Sequence, residues 1–247
     1  MLIENLIEVL PENYSIADRE LVLRAYRIAE AAHEGQKRAS GEAYITHCLA
    51  VASILSDLCV PPSVIAAGLL HDTVEDTKVT LEDIQRDFGE EIAHLVDGVT
   101  KLTQLPRVSR ADQRPEEYLE KVDEERQIAE KRGITDPEEE ADRILRSRRY
   151  DLVSETLRKT FIAMGDDVRV VLIKLADRLH NMQTLNFMPD HKQRRIAQET
   201  LDIFAPLANR LGIWQIKWKL EDLGFKYVNP EKYQEIAIMV SDRRSTR

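Results

Sequence analysis

The chain has 247 residues, room for one large helical domain or two small ones. Charged residues make up 32% and apolar ones 43%, which excludes a disordered chain and leaves an ordinary globular one. A net charge of −9 argues against a nucleic-acid or membrane-surface binder, although a local basic pocket could still take an anionic ligand. Nine glycines and nine prolines are few for this length and favour helices. No apolar run approaches the roughly 20 residues of a membrane span. The opening MLIENLIEVLPENY carries acidic residues and lacks the basic start of a signal peptide. Cys48 and Cys59 are expected on one helix, about 16 Å apart and too far to pair, which suits a reducing cytoplasm.

Apolar positions 2, 3, 6, 7, 9 and 10 predict a short amphipathic helix stopped by Pro11. Ser15 and Asp18 form a predicted capping box for a helix through about His33, ended by Gly35. The polar stretch 36–44 reads as a loop and carries Lys37, Arg38 and Ser40. A third helix is expected from about Ile45 to Leu58, with His47 in its first turn. Pro61 and Pro62 open the next, which holds the apolar run Val64 to Leu70 and is read as continuing to Thr77. Thr80 caps a predicted helix 81–88 that Gly89 closes, and another follows over 90–104.

From Arg107 to Arg149 the chain turns dense in Arg, Glu and Asp, with few large apolar residues. That stretch reads as a solvated excursion, either a charged helical hairpin or a mobile loop. A helix is expected over 150–164, ending at Gly165, with Asp166 capping the next element. The run from Val168 has the β-branched content of a strand, but apolar spacing through Leu175, Leu179, Met182 and Leu185 predicts a helix. Further helices are expected over 190–208, kinked or ended by Pro206, and over 213–224 and 230–241. The fold class is all-α, of about ten helices.

The chemistry concentrates at His71-Asp72-Thr73-Val74-Glu75-Asp76, directly after a buried apolar run. On a continuous helix His71 and Asp72 lie about 100° apart and lean toward one point, while Glu75 and Asp76 sit about 5 Å further along. The plainer reading is an acidic helix end capped by Thr77 or Thr80. Asp177 stands in the most apolar helix, where a charge is costly unless paired or metal-bound; Lys174 or Arg178 could pair with it. Asn181 and Thr184 share its face. His47 alone would be a structural histidine. Together, His47, His71, Asp72 and Asp177 would hold one divalent ion, and mixed imidazole and carboxylate ligation suits Mn²⁺, Fe²⁺, Co²⁺ or Zn²⁺. Such an ion lowers the pKa of water, and Glu75 or Asp76 could then move the proton.

These motifs resemble the HD-superfamily metal phosphohydrolases. Longer strings are more specific. His33 to His47, Leu70 to Thr77, Asp97 to Leu102, Lys174 to Met182, Pro206 to Ile213 and Lys217 to Leu223 are similar to the hydrolase domain of the Rel/SpoT alarmone enzymes. The resemblance covers nearly everything except 107–149. It implies an HD-domain helical bundle that removes the 3′-diphosphate of guanosine tetra- and pentaphosphate with Mn²⁺, giving GDP or GTP and pyrophosphate. It further implies that His47, His71, Asp72 and Asp177 are metal ligands and that Glu75 and Asp76 are catalytic. Arg38 would stack on the guanine, Lys37 and Ser40 would line the nucleotide, and Asn181 and Thr184 would lie near ribose and base.

By the same resemblance, residues 1–205 are the hydrolase domain, with 107–149 an insertion longer than the family's segment. Residues 206–247 would lead into a synthetase domain whose sequence is absent here, which favours an excised half over a natural single-domain relative. Ala43 and Cys48 stand where the family usually has proline, a departure that bears on loop rigidity more than on chemistry. The expected partner is a small guanine nucleotide, with no nucleic acid and no membrane. Two other functions stay open: an HD phosphohydrolase for another nucleotide, and a catalytically weak regulatory nucleotide-binding fragment.

Overall fold

The computed structural model describes residues 3–103 and 167–245, with scattered positions between 123 and 147. Most of the charged excursion, and the expected helix 150–164 with Gly165 and Asp166, lie outside the described residues. The chain divides into two compact units, Met1–Leu105 with Thr160–Phe187, and Pro106–Lys159 with Met188–Arg247.

Among the described residues the first unit contains α1 (Ile3–Val9), α2 (Ile16–Ala32), α3 (Ile45–Asp57), α4 (Pro62–Leu70) and α5 (Thr73–Asp76). It continues with α6 (Leu81–Phe88), α7 (Glu90–Thr103), α8 (Val168–Gln183) and a 3₁₀ turn, Leu185–Phe187. No strand occurs among the described residues; Lys37 and Ala43 make one isolated backbone bridge. The capping boxes are as expected: Ser15 with Asp18 starts α2, and Thr80 with Asp83 starts α6. Each satisfies two amide groups that a helix start leaves without partners.

The unit is built around α4, which is apolar on every side and therefore has no face to give to water. All of its residues from Ser63 to Leu70 are buried. It is surrounded by α2, α3, α7 and α8. Glycine permits the closest approach: a Cβ on Gly68 would lie 2.4 Å from Leu55 Cδ1 on α3. Gly98 does the same between α7 and α8, where a Cβ would meet Val170 Cγ2 at 2.7 Å. Real side chains do not tolerate such distances, so larger residues there would push helices apart and strain a close-packed core. Because α4 runs through the centre, its C-terminal end delivers His71 into the interior with no solvent exposure.

Five expectations need correction. The central helix does not run unbroken to Thr77; it stops at Leu70, and a separate turn, α5, begins at Thr73. The last carbonyls of a helix lack intrahelical partners. Here the His71 ring takes the Gly68 carbonyl and the Thr73 hydroxyl takes that of Leu70, so the motif's own side chains end the helix. Asp167, not Asp166, caps α8, accepting from the Arg169 amide at 2.9 Å. Cys59 lies beyond the end of α3, exposed and with φ of 53°, while Cys48 is buried within that helix. Their shared-helix placement is therefore wrong, although both are free as expected.

The fourth correction falls in the second unit, which among its described residues holds α9 (Asp190–Glu199), a π-helical turn (Thr200–Phe204), α10 (Ala205–Arg210), α11 (Trp214–Val228) and α12 (Pro230–Ser245). The single helix expected over 190–208 is thus three segments. Pro206 has no amide hydrogen and its ring crowds the carbonyl four residues earlier, and a widened turn relieves both. Gly212, with φ of 71°, closes α10 in the left-handed region. Helix α11 also outruns its expected end at 224. Gly224 is not a stop: a Cβ there would lie 2.7 Å from the Leu201 side chain, so glycine lets the π turn pack against α11.

Candidate metal centre

Four side chains from three places in the sequence meet at one end of α4. His47 comes from the first turn of α3, His71 and Asp72 from the break after α4, and Asp177 from the middle of α8. One donor atom each from His47, His71 and Asp177 lies within 4.8 Å of the others. Asp72 Oδ2 is 3.4 Å from His47 Nε2 and 3.1 Å from His71 Nε2. Asp177 Oδ1 is 3.4 Å from His47 Nε2 and 3.9 Å from His71 Nε2. Both histidines and Asp177 are buried.

The proton positions follow from the partners. His71 Nδ1 faces the Gly68 carbonyl at 2.8 Å, and a carbonyl only accepts, so Nδ1 carries a hydrogen. Its Nε2 is buried without a well-aligned hydrogen bond. A buried nitrogen left so, facing two carboxylates, is costly unless a cation completes it. Second-side hydrogen bonding of this kind is what metal-ligating histidines use to hold their orientation. The donor set and the orphaned nitrogen together fit a divalent cation.

Electrostatics point the same way. Burial by itself lowers the basicity of His71, but the charges of Asp72 and Asp177 outweigh it and push its pKa up to about 9. Burial opposes ionisation of Asp72 too, yet the charge of His71 and the bonds from both histidines hold it well below the usual carboxylate range. Asp177 is likewise held far down, burial being overcome first by Lys174 and then by His47 and His71. The pocket draws in positive charge, and in the ion-free chain a proton on His71 supplies it.

A pH dependence follows. A proton held more tightly in the folded state than its ordinary pKa of about 6.5 allows gives stability fully present below that pH. That stability is lost as pH rises through about 9. In chelator the melting temperature should fall between pH 6.5 and 9.5, by a free energy on the order of 3 kcal/mol. A saturating divalent ion, taking the proton's place, should flatten that slope in thermal melts; equal slopes with and without ion would contradict the assignment.

Around the cluster lie Tyr44 and His180, which the sequence reading did not single out, and Lys174, which it named as a possible partner of Asp177. The Tyr44 hydroxyl donates to Asp72 Oδ2 at 2.6 Å and lies 3.2 Å from Asp76 Oδ2, joining a cluster carboxylate to the acidic turn. Burial and the Asp72 charge hold its phenol well above its ordinary pKa, so it remains a donor. Lys174 donates to Asp177 Oδ2 at 2.8 Å and to the Thr103 hydroxyl at 3.1 Å. The plain ion-pair reading of Asp177 is therefore also true, but Asp177 is buried, Lys174 half-buried, and the pair occupies one oxygen only. His180 Nδ1 lies 2.7 Å from His47 Nδ1, and burial, His47 and Arg38 push the His180 pKa down to about 4. His180 stands three residues beyond Asp177, the one signal that could have marked it.

The remaining expected residues divide. Glu75 and Asp76 are in α5, exposed; burial of its carboxyl and the Asp72 charge raise the Glu75 pKa. The Asp76 carbonyl accepts from Gln36 Nε2 at 3.0 Å, which ties α5 to the polar loop. Arg38 reaches the centre: it donates to Asn181 Oδ1 at 2.6 Å, and Asn181 donates to Asp177 Oδ1 at 2.6 Å. The guanidinium also lies 5.6 Å over the Tyr44 ring, whose other contacts include a stacked His33 at 4.5 Å. Ser40 is not brought in; its hydroxyl donates to Glu42. The Thr184 hydroxyl turns back onto the His180 carbonyl, and Lys37 is exposed.

An all-α bundle with a histidine, a His-Asp pair and a distant aspartate around one point defines an HD-type metal-binding domain. The family model described as HD domain matches residues 25–214. A probable guanosine-3′,5′-bis(diphosphate) 3′-pyrophosphohydrolase of Synechocystis is 44% identical over 92% of this chain and 25% of its own length. A probable GTP pyrophosphokinase of Mycobacterium leprae is 42% identical over 99% of this chain and 26% of its own. The chain thus spans about a quarter of the length of these curated relatives. A solved structure of a metazoan ortholog of SpoT, described as hydrolysing ppGpp and acting in starvation responses, aligns with a TM-score of 0.52 at 22% identity. It covers 88% of this chain and 98% of that one, and shows the shared fold. The chain belongs to the HD-domain family.

Proposed function

We propose that this domain is a Mn²⁺-dependent hydrolase of guanosine tetra- and pentaphosphate, releasing the 3′-diphosphate as pyrophosphate and leaving GDP or GTP. The convergence of His47, His71, Asp72 and Asp177 on one buried point, with an orphaned His71 Nε2, carries the reading. When bound, a divalent cation there supplies positive charge for the phosphates and lowers the pKa of a water. The chain's own residues do the rest. Asp177 and His71 are held in place by Lys174 and the Gly68 carbonyl. Breaking the bond to the ribose 3′-oxygen requires a proton there, and taking a proton from water requires a base. Glu75 and Asp76, on the turn beside Asp72, are assigned these transfers; burial and the Asp72 charge raise the Glu75 pKa above its ordinary value, which makes its carboxylate a stronger base.

Arg38 is assigned to the guanine. A planar guanidinium stacks on a purine while keeping its charge, and this one already lies beside the ligand Asp177 through Asn181. Contact of Ser40 or Thr184 with the nucleotide requires each hydroxyl to exchange its present partner. Residues 1–205 are assigned to hydrolysis and 206–247 to a connection toward a synthetase domain; the apolar residues Ile236, Ile238 and Met239 exposed on α12 suit such a junction. Free cysteines suit a cytoplasmic location, and no described helix is long and apolar enough to cross a membrane.

The test is pyrophosphate release from guanosine tetraphosphate with Mn²⁺, with and without chelator. Metal-dependent release is expected, and none in either condition sinks the proposal. Arg38→Ala should lower kcat/KM by about 5- to 100-fold, the range of lost base stacking. Undiminished activity would instead indicate a site that reads phosphates only.

A further inference from the structure

His47 and His180 face each other through like atoms, Nδ1 to Nδ1, at 2.7 Å, with ring centroids 4.9 Å apart. Two imidazole nitrogens at that distance share a single hydrogen, so one ring donates and the other accepts. The direction is set on the far side of His47. Its Nε2 lies 3.4 Å from both Asp72 Oδ2 and Asp177 Oδ1, where a lone pair is needed to hold a cation. With the lone pair on Nε2, the hydrogen of neutral His47 is on Nδ1 and points at His180.

We propose that His180 is a positioning residue for the metal ligand His47, accepting its Nδ1–H and so fixing both the ring's tautomer and its aim at the ion. The inference rests on the metal-centre reading above. Metal-ligating histidines usually give this hydrogen to a carboxylate, a carbonyl or water. Here the Gly68 carbonyl serves His71 in that way, and a neutral imidazole serves His47. The choice has a charge consequence. Asp72 and Asp177 already balance a divalent ion, and a third carboxylate behind His47 would leave the centre negative and less able to polarise an anionic phosphate. A neutral acceptor orients the ligand without that cost. His180 is itself placed by α8, three residues beyond Asp177, so one helix supplies both a ligand and the partner of another ligand.

The test is Mn²⁺ titration of the whole chain without nucleotide, alongside melting in chelator, for His180→Leu, His180→Asn and His180→Gln. Asparagine carries its acceptor on Cγ, where the Nδ1 of histidine is attached; glutamine carries it one bond further out; leucine has none. Leucine and glutamine should weaken Mn²⁺ binding by about 10- to 100-fold, the usual effect of losing such a partner, and asparagine should restore most of it. Wild-type affinity in folded His180→Leu would overturn the inference. If that variant does not fold, asparagine binding no better than glutamine would overturn it. A purely packing role would lower melting temperatures for all three and leave the affinity of the folded fraction unchanged, which also counts against it. Failure of the unmodified chain to bind Mn²⁺ would defeat the metal-centre reading itself, a result separate from equal binding by wild type and variants.

Discussion

Replacing Asp177 by asparagine should leave a folded protein that neither retains the ion nor releases pyrophosphate. The side chain has nearly the same shape, so the loss comes from its acceptors. Asp177 Oδ2 takes Lys174 at 2.8 Å, and Oδ1 takes Asn181 at 2.6 Å while facing His47 at 3.4 Å. An amide offers one acceptor atom and a pair of donor hydrogens. Whichever way it turns, either the ion or Lys174 meets an N–H group. Removing an outer-shell partner typically costs 10- to 100-fold in metal affinity, and a ligand should cost at least as much, so about a hundredfold is the minimum expected. Mn²⁺ titration and pyrophosphate release measure it directly. Lys174 keeps the Thr103 hydroxyl at 3.1 Å, so circular dichroism should show the helices intact. If the domain instead unfolds at room temperature, Asp177 is there to balance the half-buried Lys174, and the centre loses its argument.

Glu75→Gln should lower kcat by about 10²- to 10⁴-fold, the contribution of a positioned acid or base, with Mn²⁺ affinity close to wild type. The separation is the informative part. Glu75 is on the same turn as Asp76 but outside the four side chains that converge, and it is exposed. An exposed, isosteric substitution changes stability by only about 0.5 kcal/mol either way. Loss of turnover without loss of ion or fold therefore isolates proton transfer. The pH profile adds a sign: with the Glu75 pKa raised, the ionisation that limits rate on the acid side should lie above an ordinary glutamate's and vanish in the variant. Full activity in Glu75→Gln would transfer the role to Asp76, whose carboxylate the Tyr44 hydroxyl already approaches at 3.2 Å.

Much of this was legible in one dimension because it depends on near neighbours. Helix starts at Ser15 and Thr80 announce themselves through a partner three residues away, and the turns at Gly35 and Gly89 through residues that tolerate positive φ. The strand-like run at Val168 is a helix, as its apolar spacing, persisting for several turns, predicts. Boundaries failed where a residue's job was in three dimensions. Gly224 looks like a stop and is instead a point of close approach to Leu201, and His71 and Thr73 end α4 with their own side chains.

The amino-acid order alone determined the helical class, the positions of the helix starts and the presence of a histidine-carboxylate motif at the end of an apolar run, since each is a matter of spacing within a few turns. It could also nominate His47, His71, Asp72 and Asp177, by likeness to a family. Only the tertiary structure decided that these atoms share one point, that His71 Nε2 is left facing carboxylates, and that Tyr44, Lys174 and His180 stand behind the cluster. The reason is physical: a hydrogen bond between positions 47 and 180 depends on how closely α3, α4, α7 and α8 pack. Glycines at 68 and 98 permit two of those close approaches, α4 to α3 and α7 to α8, and their missing side chains carry no local sign of what they let through.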